Sequence, residues 1–142
     1  MHLESKYFSR RLDVRQGDCV PHIICNTRAG MDCALKAKVA AAITEVVHET
    51  IKSDFYHISV LFNDLASEST YVAGKPGCDT IILCNIRAGR SESAVKTLSQ
   101  RISDTWHEIT GQREEEIEVA VQEFQGKFVV RGGKPMPDPP YA

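Results

Sequence analysis

Shifted by 59 positions, the sequence lies on itself: Cys25-Asn26-Thr27-Arg28-Ala29-Gly30 meets Cys84-Asn85-Ile86-Arg87-Ala88-Gly89, an offset of 84 − 25 = 59. The register continues without a gap, His48-Glu49 falling on His107-Glu108 and Ile58-Ser59-Val60 on Ile117-Glu118-Val119. Such a chain repeats one supersecondary unit, and that unit must pack against its own copy. The copies run over about 21–79 and 80–134; residues 1–20 lie ahead of the pattern and a proline-rich tail, 135–142, follows it. With 142 residues, 42% of them hydrophobic and 25% charged, there is material for one compact domain holding both copies, not for two independent ones.

Each copy reads as strand, helix, strand. A short apolar run (His22-Ile23-Ile24-Cys25, or Thr80-Ile81-Ile82-Leu83-Cys84) leads into a stretch of helical period and then into strict alternation. Leu35, Val39, Ile43, Val46 and Val47 form the core stripe of the first helix, and Val95, Leu98, Ile102, Trp106 and Ile109 that of the second. Asp32 and Ser91 hold equivalent positions and are both N-cap types, while Gly111 suits the stop of the second helix. The alternation of Ile58, Val60 and Phe62, and of Ile117, Val119 and Val121, predicts strands with one dry face. The opening strands are apolar on both sides and are expected to be central. The fold class that follows is α+β: a tandem βαβ repeat whose four-stranded mixed sheet carries two helices on one face. The other face is then expected to meet another subunit. Tyr71-Val72-Ala73-Gly74 and Phe128-Val129-Val130-Arg131-Gly132-Gly133 are each expected to add a short strand ending in a glycine turn. Pro135, Pro137, Pro139 and Pro140 favour an extended tail, either draped over a neighbouring subunit or loose.

Charge and cysteine usage narrow the function classes. Lys and Arg total 17 against 19 Asp and Glu, with no basic block, so nucleic acid and anionic membranes are not expected partners. No apolar run is long enough for a bilayer, the first 20 residues lack a secretory apolar centre, and a cytoplasmic location is expected. The five cysteines, Cys19, Cys25, Cys33, Cys78 and Cys84, include no CxxC pair, and the histidines show no ligand spacing. No metal is expected.

Chemistry is to be sought where the copies differ. Pro21 opens the first copy where Thr80 opens the second. A proline at a strand's first residue has a plain structural explanation, since a missing N–H is tolerated there. It also has a chemical one. Val20 would be encoded by GTG in a bacterial gene that starts there, and Arg15-Gln16-Gly17-Asp18 permits a purine-rich ribosome-binding run just upstream. Translation from position 20, with the initiator removed, leaves 142 − 20 = 122 residues and a free amine on Pro21. A terminal amine titrates at about 7.7 to 8.0, and burial or nearby cations lower it into the range of a useful base. Arg90 is the second difference, standing where the first copy has Met31, while Arg87 is matched by Arg28. Arg87 and Arg90 bracket the passage from strand into helix, a place that favours an anion; they suit a carboxylate, or else form a solvated pair. His48 is matched by His107, which points to a shared structural role such as capping carbonyls at a helix end.

Pro21-His22-Ile23-Ile24, the doubled βαβ unit, Arg87-Ala88-Gly89-Arg90-Ser91, Gly77-Cys78-Asp79-Thr80-Ile81 and the Gly132-Gly133 turn together resemble the tautomerase superfamily. The likeness covers essentially residues 21–140 and is nearest to the cis-3-chloroacrylic acid dehalogenase branch, fused pairs of 4-oxalocrotonate-tautomerase-like units. The resemblance implies a homotrimer, a catalytic amino-terminal proline at Pro21, a histidine at His48 that binds substrate or positions water, and carboxylate-binding arginines at Arg87 and Arg90. It also exposes two departures: the tyrosine and glutamate with which that branch activates water are replaced by Ala120 and Arg131. The expected activity is therefore proton transfer within small 2-oxo or 2-hydroxy-enoic acids, without a cofactor. Phe128 and Val130 are expected to wall the pocket, with Arg131 a further cation. The rival activities are a dehalogenase or hydratase of cis-3-haloacrylate-like acids, and a non-catalytic trimer that binds a carboxylate.

Overall fold

The first copy forms β1 (His22–Arg28), α1 (Cys33–Ile51) and β2 (Ser59–Leu65), followed by a hairpin of β3 (Tyr71–Val72) and β4 (Lys75–Pro76). The second forms β5 (Thr80–Arg87), α2 (Glu92–Thr110) and β6 (Ile117–Phe124), followed by β7 (Val130–Arg131) and β8 (Lys134–Pro135). The computed structural model describes residues 21–28 and 30–136. Val20, Cys19 and the rest of 1–20, Ala29, and the tail prolines Pro137, Pro139 and Pro140 lie outside the described residues. No helix among the described residues is long and apolar enough to cross a membrane.

The two helices each span 19 residues, the second displaced from the first by the repeat length. Their starts are set as the cap residues predict: the Leu35 N–H donates to the Asp32 carboxylate at 2.8 Å and the Ala94 N–H to the Ser91 hydroxyl at 3.1 Å. Their ends differ. Gly111 takes the left-handed conformation at φ 74°, whereas α1 stops on a lysine, Lys52, at φ 57°.

The sheet order is β2-β1-β5-β6, with antiparallel central strands and a parallel strand outside each. His22 lies opposite Ser59 and Asn85, and 59 positions on Ile81 lies opposite Glu118 and Asn26, so the two halves are related by a pseudo-twofold passing between Ile24 and Leu83. Ile23 and Cys25 of β1 and Ile82, Cys84 and Ile86 of β5 point beneath the helices, where they join Val39, Ile43, Val47, Leu98, Ile102 and Trp106 in one apolar core. The opposite face carries three rows that cross all four strands. One is polar (Ser59, His22, Asn85, Gln122), the middle one is apolar (Leu61, Ile24, Leu83, Ala120), and the third is mixed (Asn63, Asn26, Ile81, Glu118). Leu61 is 49% and Ile81 41% exposed in the single chain.

The extra strands are shorter than expected and come as pairs. Val130 lies opposite Pro135 and Arg131 opposite Lys134, repeating Tyr71 opposite Pro76 and Val72 opposite Lys75. Ala73-Gly74 and Gly132-Gly133 all have positive φ, the twist a two-residue hairpin turn requires.

Candidate active site

The topology brings the unmatched residues to one end of the sheet. The antiparallel register that sets His22 against Asn85 places Pro21, one residue back, beside the close of β5, where Arg87 ends the strand. The Pro21 carbonyl accepts the Ser59 N–H at 3.1 Å, which ties it to the start of β2. Pro21 is fully buried, and Arg87 is 2% exposed although it carries a permanent charge.

Arg90 directly precedes Ser91, the cap of α2. Its guanidinium reaches across to the carboxyl end of α1, Nε donating to the Ile51 carbonyl at 3.2 Å and one terminal nitrogen to the Ser53 hydroxyl at 3.2 Å. The other terminal nitrogen donates to the Arg87 carbonyl at 2.8 Å. A cation is favoured at that helix end by the unpaired carbonyls. His48 joins the same assembly: Nδ1 donates to the Ser53 carbonyl at 2.8 Å, and the ring stacks on Phe55 with centroids 3.9 Å apart. The carbonyl partner fixes the hydrogen on Nδ1, so a neutral ring presents Nε2 as an acceptor. Ser53, buried and bonded on both its carbonyl and its hydroxyl, couples His48 to Arg90.

The opposite end of the sheet holds the equivalents and is built otherwise. Thr80 replaces Pro21, Arg28 is exposed, and Met31 replaces Arg90 and packs on the core. Gln112, the counterpart of Ser53, fills the space. Its Oε1 accepts from the Thr80 hydroxyl at 2.8 Å and from Trp106 Nε1 at 2.9 Å, while Nε2 donates to the Cys78 carbonyl at 3.0 Å. His107 Nδ1 meets the Gln112 carbonyl at 2.6 Å, so the histidine-to-carbonyl bond belongs to both copies and is architectural. Half-burial and the phenylalanine stack distinguish His48.

The β7–β8 hairpin follows the end of β6, and Phe124 there lies opposite Arg87. Phe128 and Val130 are 75% and 65% exposed, so the single chain alone does not enclose a pocket with them. Burial, and secondarily the Arg131 guanidinium, hold the His22 imidazole below its ordinary pKa, which puts Arg131 within electrostatic reach of the residue after Pro21. Ala120 sits farther along the open face, in the apolar row.

Ser53, Gln112 and His22 were not singled out from sequence, and neither was His57. That side chain is buried, and its Nδ1 has no hydrogen-bond partner among the described residues. A signal for each existed: they stand against Gln112, Ser53, Ile81 and Glu116 in the other copy, the same kind of mismatch that marks Pro21 and Arg90.

A family model described as tautomerase enzyme matches residues 21–77, beginning at Pro21 and spanning the first copy. The doubled unit has the fold of solved members. The crystal structure of N1, a member of the cis-3-chloroacrylic acid dehalogenase family, is 26% identical, with a TM-score of 0.78 over 84% of this chain and 85% of that one. Over residues 21–77 the chain is similar to the tautomerase family, and as a whole it shares the fold of that superfamily's fused members. Native fused 4-OT shares the fold at 20% identity and a TM-score of 0.76, over 80% of this chain and 94% of its own. F6 fused 4-OT, an asymmetric trimer, does so at 16% and 0.77, over 80% and 94%. No curated protein matches this chain.

Proposed function

We propose that the protein is a cofactor-independent tautomerase of small 2-oxo or 2-hydroxy-enoic acids, working as a homo-oligomer, with a trimer the expected form. Pro21 nitrogen, as a free secondary amine, takes a proton from a carbon or an enol hydroxyl and returns it at another carbon. The buried guanidinium of Arg87 lowers the amine's proton affinity by its charge and receives the substrate carboxylate together with Arg90. Negative charge that develops on the dienolate is stabilised by the same two cations. His48, held by Ser53 and Phe55, offers Nε2 to a substrate hydroxyl. Arg131 adds positive charge on the open-face side, and Phe128 and Val130 form a wall once a neighbouring chain covers them.

The observation that carries this reading is the one-sidedness of the molecule. Two copies of one unit share a backbone, yet only one end gathers Pro21, Arg87 and Arg90, while the other is filled by Gln112 and Thr80. Hydrolytic dehalogenation, the activity of the branch to which N1 belongs, is the rival. With Ala120 and Arg131 the chain has neither a phenol nor a carboxylate at those places to activate water.

The test is ketonisation of phenylenolpyruvate, followed by ultraviolet absorbance, by the chain beginning at Pro21. The expected result is enol-to-keto turnover that Pro21→Ala lowers at least ~100-fold. Equal rates would overturn the reading. Halide release from cis-3-chloroacrylate would favour the rival, and a native polypeptide whose mass includes residues ahead of Pro21 would favour a non-catalytic carboxylate-binding protein.

A further inference from the structure

On the open face, the row nearest Pro21 is polar across the whole sheet. Ser59, His22, Asn85 and Gln122 stand side by side on β2, β1, β5 and β6, and the next row, Leu61, Ile24, Leu83 and Ala120, is wholly apolar. The apolar row suits burial against another chain. The polar row includes His22, the residue after Pro21, and Asn85, two residues before Arg87 closes β5, so it borders the site.

The hairpin beyond β6 extends this border. Arg131 lies within electrostatic reach of His22, and the repeat supplies an internal control for both residues. At the other end of the sheet Ile81 stands in place of His22 and Val72 in place of Arg131, exposed apolar side chains beside the end that Gln112 closes. The same backbone therefore carries an imidazole and a guanidinium only at the end with Pro21.

We propose that His22 and Arg131 are specificity-determining residues: they hold an oxygen-bearing group, a carboxylate or a hydroxyl, at the end of the substrate remote from the carboxylate taken by Arg87 and Arg90. Burial and the Arg131 charge lower the His22 pKa and so favour the neutral ring, which both donates and accepts, and Arg131 supplies the forked donors. Substrates with a polar far end are favoured over purely alkyl or aryl ones. The inference rests on the tautomerase reading for the identity of the near anchor.

Titration calorimetry with the protein as its own cells make it, and with variants in the same form, tests it with three six-carbon acids: 2-oxohexanedioate, 6-hydroxy-2-oxohexanoate and 2-oxohexanoate. At least one of the first two should bind about tenfold or more tightly than the third. A preference for the dioate assigns a carboxylate to the far anchor, and one for the hydroxy acid assigns a neutral hydrogen-bonding group. In His22→Leu and in Arg131→Met that ratio should fall to within about twofold. Equal affinities for all three acids, no binding of any, or a ratio unchanged in both variants would overturn the proposal. Failure of the tautomerase reading looks different: the ratio and its loss in the variants persist, while the chain beginning at Pro21 shows no enol turnover.

Discussion

At the scale of single residues, burial separates the groups that can react from those that cannot. Arg87 is 2% exposed and its charge cannot be neutralised by losing a proton, so the fold has to surround it with acceptors or present it to an anion. If it receives the substrate carboxylate, Arg87→Ala lowers kcat/KM for phenylenolpyruvate by about 100-fold or more, with KM raised. Steady-state kinetics on a variant with an unchanged circular-dichroism spectrum checks this, and unaltered kcat and KM would count against it. The thiols show the converse. Cys25 and Cys84 lie diagonally across the central strands, and burial, with mutual repulsion at Cys25, pushes both up to about 12. At pH 8 roughly one such thiol in ten thousand is ionised. Iodoacetamide at that pH is expected to label the exposed Cys33 and to spare Cys25 and Cys84 until denaturant is added, as read by peptide mass spectrometry; labelling of all three at one rate would contradict the burial described.

At the scale of elements, the two copies act as controls for each other. Both helices stop after 19 residues on a left-handed residue whose N–H returns to a histidine carbonyl, at 3.1 Å for Lys52 and 2.9 Å for Gly111. A lysine carries a Cβ penalty there that glycine does not. Lys52→Gly is expected to stabilise the protein by about 1 kcal/mol, measured as a raised denaturation midpoint at fixed protein concentration. A lowered midpoint would show that the lysine side chain does more than close a helix. The same pair shows what sequence can and cannot convey. Asp32, Ser91 and Gly111 are local signals, because each acts on its own backbone, and the helix starts and one stop were legible from them. Lys52 carries no such signal. The strands of the main sheet were legible from alternation and from the repeat, whereas β3, β4, β7 and β8 are two residues each, too short for any period. In the candidate site, Pro21, Arg87, Arg90 and His48 could be named because the copies differ there or because the resemblance marks them. The bridge through Ser53 could not, since it joins residues 37 positions apart only after α1 and β5 have packed. For the same reason the sequence puts Arg90 only at the passage from β5 into α2, and its reach to the carboxyl end of α1 is not legible there.

At the scale of the whole molecule, the pseudo-twofold explains both the core and what the core leaves uncovered. Both crossover connections place their helices on one side, as right-handed βαβ units related by a twofold perpendicular to the sheet must, so the other side has no element of the described chain above it. Its middle row spans four strands with Leu61, Ile24, Leu83 and Ala120, a continuous apolar belt that water would contact in an isolated chain. Leu61→Asp puts a charge in the belt on an outer strand whose helix-side packing is untouched. Sedimentation should then show the oligomer giving way to single chains, while circular dichroism still reports a folded α+β protein. Because Phe128 and Val130 are left exposed in a single chain, these separated chains should also turn over phenylenolpyruvate more slowly, by about tenfold if a neighbour's cover is what dries the Pro21 amine. An oligomer that survives this substitution with its turnover intact would place the subunit contact on another surface, and the apolar belt would then need a different occupant.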